Sequence, residues 1–336
     1  MSENTRKSYV SAQQVADLAG VSRSAVSRTF TDGASVSKST RTKVLAAAEA
    51  LGYHVNHLAR GLIRERSNIV CLIAADINTP YQSRFIETLT RRLQAADKVA
   101  MLINTTGDTG VEPALRQTLH YRADASIVLS GQPAVSLIDT CLHNGQRVIV
   151  VNRDDDIEGP QSVSVSNTGA ARNALHMLKR AGCKRMAIVS SRVGTASLVA
   201  RETAFAEAAR EEGLPVDAVH IGATSYASGA EAARQLLSRA ERPDGAFCVT
   251  DLLACGFMDV ARHEFGLRIP EELCVVGFDD IEQAGWSAYE LTTFRQPIDD
   301  ITAHIIALVT QGPEEPPAPP ASFEAQPVWR RSVRPR

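Results

Sequence analysis

No run of eighteen apolar residues occurs anywhere in the 336-residue sequence, so nothing in it reads as a membrane-spanning helix. The opening MSENTRKSYVSAQQ has no apolar stretch behind Arg6-Lys7, which argues against a secretory leader and gives a cytoplasmic expectation. The six cysteines (Cys71, Cys141, Cys183, Cys248, Cys255 and Cys274) form no C-x-x-C pair and have no histidine at ligand spacing. They read as small packing residues rather than as a disulfide framework or a zinc site. The motifs G-x-S-x-G, H-E-x-x-H, G-x-x-x-x-G-K-[ST] and G-x-G-x-x-G are all missing, and the eight histidines are isolated. No catalytic residue, metal or cofactor is therefore expected, and the chain does not read as an enzyme.

What is present is ordinary globular composition, 44% hydrophobic and 22% charged, in a chain long enough for two or three domains. The net charge of −2 is unevenly spread. Residues 1–66 hold ten Lys/Arg against five Asp/Glu, so the rest of the chain carries −7. A basic head on an acidic body suits a head that meets a polyanion.

The head has a legible local grammar. Ser11-Ala12-Gln13-Gln14 is a capping box, and the helix it opens carries Val15, Leu18 and Ala19 on one face before stopping at Gly20. Val21 fills the corner, and Ser22 caps a second helix with Val26 and Phe30 facing inward. Val36-Ser37 opens a third, with Val44, Leu45, Ala48 and Leu51 as its apolar stripe and Gly52 as its end. Helix, glycine-containing turn and helix at this spacing make a helix-turn-helix. Its second helix would enter the major groove of duplex DNA with Arg23 and Ser24 foremost and Ser27 and Arg28 one turn on. Ser11, Ser22, Ser37 and Thr40, at or near helix starts, suit phosphate contacts that set register.

These residues carry a resemblance. V-A-D-L-A-G-V-S-R-S-A-V-S-R followed by V-S-K-S-T-R-T-K-V-L-A-A-A-E-A-L-G-Y resembles the headpiece of the lactose/galactose-repressor (LacI/GalR) family. The next segment, N-H-L-A-R-G-L-I-R from Asn56, resembles that family's hinge helix. The resemblance implies that Asn56 contributes to DNA binding, that Leu62 is the leucine levered into the minor groove, and that Ala59 is the small residue beside it. Val55 stands where relatives usually have proline. A helix of about nine residues is marginal alone in water, and Gly61 costs roughly 1 kcal/mol more, so ordering on DNA is expected.

Beyond Ser67 apolar runs alternate with amphipathic segments. Ile69–Ala75, Val99–Asn104, Ser126–Ser130 and Val148–Val151 read as buried parallel strands. Met186–Ser190, Val219–Ile221, Ala246–Thr250 and Val275–Phe278 form a second set. Helices are expected after Tyr81, Gly110 and Pro133 and near 168–181, 198–212, 226–240 and 252–265. The fold class is thus α/β, a three-helix headpiece followed by two doubly wound lobes. The resemblance extends here to the core shared with periplasmic sugar-binding proteins, through V-V-G-F-D-D (275–280), L-T-T-F-R-Q-P (291–297) and S-L-V-A-R (197–201). It implies a headpiece at 1–58, a hinge at 59–67 and an effector-binding and dimerisation core at 68–336. One lobe would be 68–166 with 298–324, the other 167–297 with 325–336.

Ligands of such sheets sit beyond the carboxyl ends of the strands. Asp279, just past its strand, aligns with the family's ligand aspartate, and Arg201, one turn after Ser197, with its pocket arginine. Asn152 ends the fourth strand, Tyr81 and Phe278 are candidate stacking walls, and Gln296 sits at a crossover between lobes. Thr250-Asp251 replaces the usual Asn-Asp, Ser166 an aspartate, and Thr224 an aromatic, with Tyr226 nearby. The resemblance implies a transcription regulator, a repressor in expectation, that binds palindromic double-stranded operator DNA as a homodimer under a sugar-like effector. The Pro-rich 313–320 stretch is followed by no leucine heptad, which favours a dimer over a zippered tetramer. An activator of the same architecture and a periplasmic-type sugar-binding protein are the alternatives.

Overall fold

The computed structural model describes residues 9–31, 33–54, 66–105, 110–152, 159–312, 315 and 318–335. The chain divides into two compact units, Met1–Ser67 and Asn68–Arg336.

The first unit holds α1 (Ala12–Ala19), α2 (Arg23–Thr29) and α3 (Lys38–Leu51). The capping box is formed as the sequence requires: Ser11 Oγ accepts from Gln14 N–H, and the Gln14 side chain accepts from Ser11 N–H. Ser22 and Ser37 cap the other two helices, accepting from Ala25 N–H and Thr40 N–H. Gly20 and Gly52 end their helices in the left-handed conformation, at φ 65° each, which glycine adopts without a Cβ penalty. Val15, Ala16, Val26, Val44, Ala47 and Ala48 make the core, with Phe30 and Tyr53 tilted against each other at 5.7 Å. Two expected core positions are corrected. Leu18 and Leu45 are exposed, because the 3.6-residue period puts Val15 and Ala16 inward on α1 and Val44, Ala47 and Ala48 inward on α3.

In the second unit a six-stranded sheet is parallel throughout, in the order β11-β5-β4-β3-β1-β2. Its strands are β1 (Ile69–Ala74), β2 (Val99–Asn104), β3 (Ala125–Val128), β4 (Arg147–Val151), β5 (Gln161–Val165) and β11 (Ala321–Phe323). Helices α4 (Pro80–Ala95), α5 (Val111–His120), α6 (Val135–His143) and α11 (Ile298–Thr310) accompany it. A second parallel sheet, β7-β6-β8-β9, is built from β6 (Met186–Ser190), β7 (Val216–His220), β8 (Gly245–Cys248) and β9 (Cys274–Val276). With it go α7 (Asn167–Arg180), α8 (Ala196–Glu211), α9 (Tyr226–Leu237) and α10 (Asp251–His263). β10 (Thr293–Arg295) and β12 (Gln326–Val328) form a short antiparallel pair.

β1 and β6 are buried at every residue, as strands covered on both faces must be, which is why their sequences run IVCLIA and MAIVS. Each fully buried Leu, Ile or Phe in this core contributes about 1.5–3 kcal/mol of apolar transfer. Apart from the second unit's β7, which begins three residues before its expected start, the expected strands fall within two residues of their places. β5, β10, β11 and β12 were not legible as strands. α9 and α10 meet through two glycines: a Cβ on Gly229 would lie 2.0 Å from Leu253 O, and one on Gly256 2.0 Å from Tyr226 O.

Candidate functional site

On α2 the side chains that sequence assigns to base reading stand clear of the core. Arg23, Ser24, Ser27 and Arg28 are exposed, while Val26 and Thr29 on the opposite face are buried. Ser22 Oγ and Ser24 Oγ share a hydrogen bond of 2.8 Å at the helix start, and Arg41 Nη1 donates to Thr29 O at its end. Exposed Ser11 and Ser37 and half-buried Thr40 lie at the starts of α1 and α3. This leaves one helix with a cationic, hydroxyl-bearing face fixed by its own caps. Asn56, Ala59 and Leu62 lie outside the described residues.

In the second unit a cleft of about 510 Å³ opens between the carboxyl ends of the two sheets. Tyr81, Asn152, Ser197, Arg201, Thr250, Asp279 and Gln296 all line it, joined by Gln82, Gln132 and Thr224. Arg201 is buried, with its Nε donating to Asn167 Oδ1 and Nη1 to Val249 O, both at 2.8 Å. Nη1 also lies 3.7 Å from Asp279 Oδ1. Gln296 Nε2 donates to that same Oδ1 at 2.7 Å, and Tyr81 Oη donates to Gln296 Oε1 at 2.8 Å. The chain Tyr81–Gln296–Asp279–Arg201 therefore links the two lobes through the crossover.

Two polar atoms on this lining, Asn152 Oδ1 and Thr250 Oγ1, are buried with no partner among the described residues, as is Gln82 Nε2. An unsatisfied buried polar atom costs about 1–3 kcal/mol, so the site gains from a partner that brings hydroxyls. Asp279 has φ 120° and Asn152 φ 58°, backbone conformations that a non-glycine residue holds only at some cost.

Phe278 is a correction. Its side chain is fully buried behind the cleft, stacked on Phe294 at 5.8 Å, and the Arg201 guanidinium lies 3.5 Å over its ring. It supports the arginine instead of walling the ligand space, because residues leaving a strand alternate faces and Asp279 takes the outward one. Tyr226 likewise does not replace the missing aromatic at Thr224. Its hydroxyl donates to Asp259 and its ring is half exposed outside the cleft.

Sequence reasoning missed Gln82 and the support given by Asn167. It also noted Asp251 without its role. Asp251 is fully buried, accepts from Ile281 N–H and the Thr293 hydroxyl, and fits only because residue 277 is glycine: a Cβ there would lie 2.1 Å from Asp251 Oδ1. Burial pushes its carboxyl up to about 8, with Asp279 adding to the rise. Burial also raises Asp279 to about 6 against the opposing pull of Arg201 and Gln296. Carboxyls raised on folding bind protons more tightly in the folded state. Their contribution is full below the unfolded value of 3.8 and is lost as pH rises towards about 8. Asp251→Asn removes the larger part of that loss. Its urea midpoint is therefore expected to gain on wild type steadily from pH 4.5 to 8.5, and a pH-independent gap would refute the assignment.

Three comparisons bear on these sites. Residues 11–56 match the family described as "Bacterial regulatory proteins, lacI family", and residues 175–333 match "Periplasmic binding protein-like domain". The chain is 28% identical over 329 residues to the HTH-type transcriptional regulator AscG of Escherichia coli K12, covering 95% of this chain and 97% of that one. Among solved structures, the lac repressor dimer bound to operator and the anti-inducer ONPF superposes with TM-score 0.85 at 21% identity, over 97% and 99% of the chains. A CelR–cellobiose complex superposes with TM-score 0.68 at 26% identity, over 96% and 99%.

Proposed function

The chain belongs to the LacI family of DNA-binding transcription regulators, whose members related to it are regulators and not enzymes, and from that premise we propose that it is a repressor released from or held on its operator by an uncharged, hydroxyl-rich small molecule. The observation that carries the effector class is the cleft lining. Asn152 Oδ1 is a buried acceptor without a donor, Thr250 Oγ1 a buried hydroxyl without a partner and Gln82 Nε2 a buried donor without an acceptor among the described residues, a mixture that hydroxyls can serve from both sides. Arg201 already spends Nε and Nη1 on Asn167, Val249 O and Asp279. A sugar or polyol hydroxyl supplies donors to the acceptors and to Asp279. A phosphate or carboxylate would face the like charge of Asp279 with only Nη2 of the Arg201 guanidinium left to meet it. The CelR relative's cellobiose complex accords with this reading.

The operator is read as a palindrome by two copies held as a dimer in the cytoplasm. The lac repressor dimer on its operator supports that arrangement, and exposed Val99 and Leu102 on edge strand β2 offer apolar surface to a second copy. The proposed domain boundaries are 1–58 for the headpiece, 59–67 for the hinge and 68–336 for the core. Ligand bridging the lobes shifts the pair of cores and undocks the hinges. A coupling of about 1–3 kcal/mol suffices for a visible change in operator affinity.

Thermal-shift measurements against neutral sugars and polyols on one side, and sugar phosphates and sugar acids on the other, test the effector class. Stabilisation by the second group alone would refute it. Fluorescence anisotropy with the protein's own upstream region tests the reader helix. Arg23→Ala is expected to cost roughly 1–3 kcal/mol, about 5- to 150-fold, and to relax one base position. Equal weakening on every sequence would reduce Arg23 to a phosphate contact.

A further inference from the structure

Cys183 and Cys274 stand 91 positions apart in sequence and meet at the end of the second sheet away from the cleft. The register across that end runs Met186, Gly245, Cys274 on neighbouring strands. Gly245, on the middle strand, has no side chain to separate what lies on either side. A Cβ there would lie 3.0 Å from Cys183 Cβ and 3.1 Å from its Sγ. The loop entering β6 thus folds Cys183 over the bare glycine, and Cys274 stands opposite that glycine on the next strand. Cys183 Sγ donates to Asp244 O at 3.2 Å and Cys274 Sγ to Pro270 O at 3.6 Å.

One residue binds both sulfurs. Arg334 donates its backbone N–H to Cys274 Sγ at 3.4 Å and its Nη2 to Cys183 Sγ at 3.2 Å. Its other guanidinium nitrogens hold Ala181 O, Pro270 O and Glu271 O, which fixes the cation beside the pair. Neither thiol lies on the effector cleft. From this geometry we propose that Cys183 and Cys274 are a redox-active dithiol that a hydroperoxide converts to a disulfide.

The step balances. Cys274 thiolate attacks the terminal oxygen of the hydroperoxide, the O–O bond breaks, and a sulfenic acid and hydroxide form. Cys183 sulfur then displaces hydroxide from that sulfenic acid, closing the S–S bond, while its proton and the one Cys274 shed end in the two water molecules formed from hydrogen peroxide. Two electrons leave the sulfurs and reduce the peroxide. Cys274 is the attacking thiol. The groups acting on it are Cys183, Arg334 and Asp244; the neighbouring Cys183 and the arginine, whose backbone N–H it accepts, lower its thiol in spite of burial and Asp244. Burial moves Cys71, Cys141, Cys248 and Cys255 the other way. Both sulfurs are buried beneath the segment ending in half-buried Arg334, so oxidant reaches them as that segment opens locally.

The test is intact-mass and peptide mapping of the whole chain after mild hydrogen peroxide. The expected product is 2 Da lighter, about 2 being the two hydrogens lost, cross-linked between Cys183 and Cys274 and restored by dithiothreitol. Its rate of formation should rise with pH between about 6 and 8 as the thiolate fills. Cys274→Ser, an isosteric change, should abolish the cross-link, and Cys183→Ser should stop the reaction at a sulfenic acid trapped by dimedone. Absence of the cross-link in wild type, or a cross-link to any other cysteine, would overturn the proposal.

Discussion

Asp279→Ala is expected to remove the response to effector while operator binding persists. The carboxylate sits at the mouth of the crossover network, with Oδ1 held by Gln296 and near Arg201. A ligand hydroxyl pair meeting it would make charge-assisted bonds of about 1.5–3 kcal/mol each, so losing them weakens effector binding roughly a hundredfold or more. The substitution also leaves Arg201 buried over Phe278 without its counter-charge, and alanine gains nothing at φ 120°. Some stability will therefore be lost from the core. Asp279→Asn keeps the volume and an acceptor for Gln296 and removes only the charge, so its difference from alanine isolates the lost packing and hydrogen bond from the lost charge. Operator anisotropy with and without effector, beside calorimetric effector titration, reads both. An Asp279→Ala protein that still responds to effector at wild-type concentrations would take the residue out of the site.

Gly256→Ala is expected to destabilise the core by about 3 kcal/mol or more, at the upper end of overpacking costs. The added methyl would sit 2.0 Å from Tyr226 O and 2.9 Å from Ala230 N, both backbone atoms of the facing helix. No rotamer change relieves a clash between a Cβ and a carbonyl. α9 and α10 must then separate, which loosens the packing of the buried residues they carry, Ala230, Ala233 and Ala254 among them. Gly213→Ala serves as the contrast, since its φ of 66° strains an alanine but nothing lies within 4 Å of the added carbon. Urea unfolding of both variants checks the order. A Gly256→Ala loss below that of Gly213→Ala would mean the helix pair yields easily.

The two variants differ in how far sequence alone foresaw them. Asp279 could be singled out because a carboxylate just past a strand, within V-V-G-F-D-D, has a place in an α/β fold before any coordinates exist. Gly256 could not, since an isolated glycine inside a helical pattern looks the same whether it faces water or another backbone. Phe278 went astray for a related reason. An aromatic next to a site residue reads as a wall, but this one turns behind the strand to carry Arg201.

β5 was missed because its QSVSV alternates buried and half-buried residues and never makes an apolar run. β10 and β12, at three residues each, are too short to show a period.

Sequence by itself determined the three headpiece helices and their caps, because Ser11 with Gln14, Ser22 with Ala25 and Ser37 with Thr40 are bonds between residues three apart. It also determined the alternation of strands and helices, because burial on both faces demands continuous apolar strands. Only the tertiary structure decided the cleft and the thiol pair. Tyr81 and Gln296 meet across 215 residues, and Cys183, from a loop, and Cys274, from a strand, come together around the glycine of the neighbouring strand. Contacts of that kind depend on crossovers and register, which no local pattern of residues records.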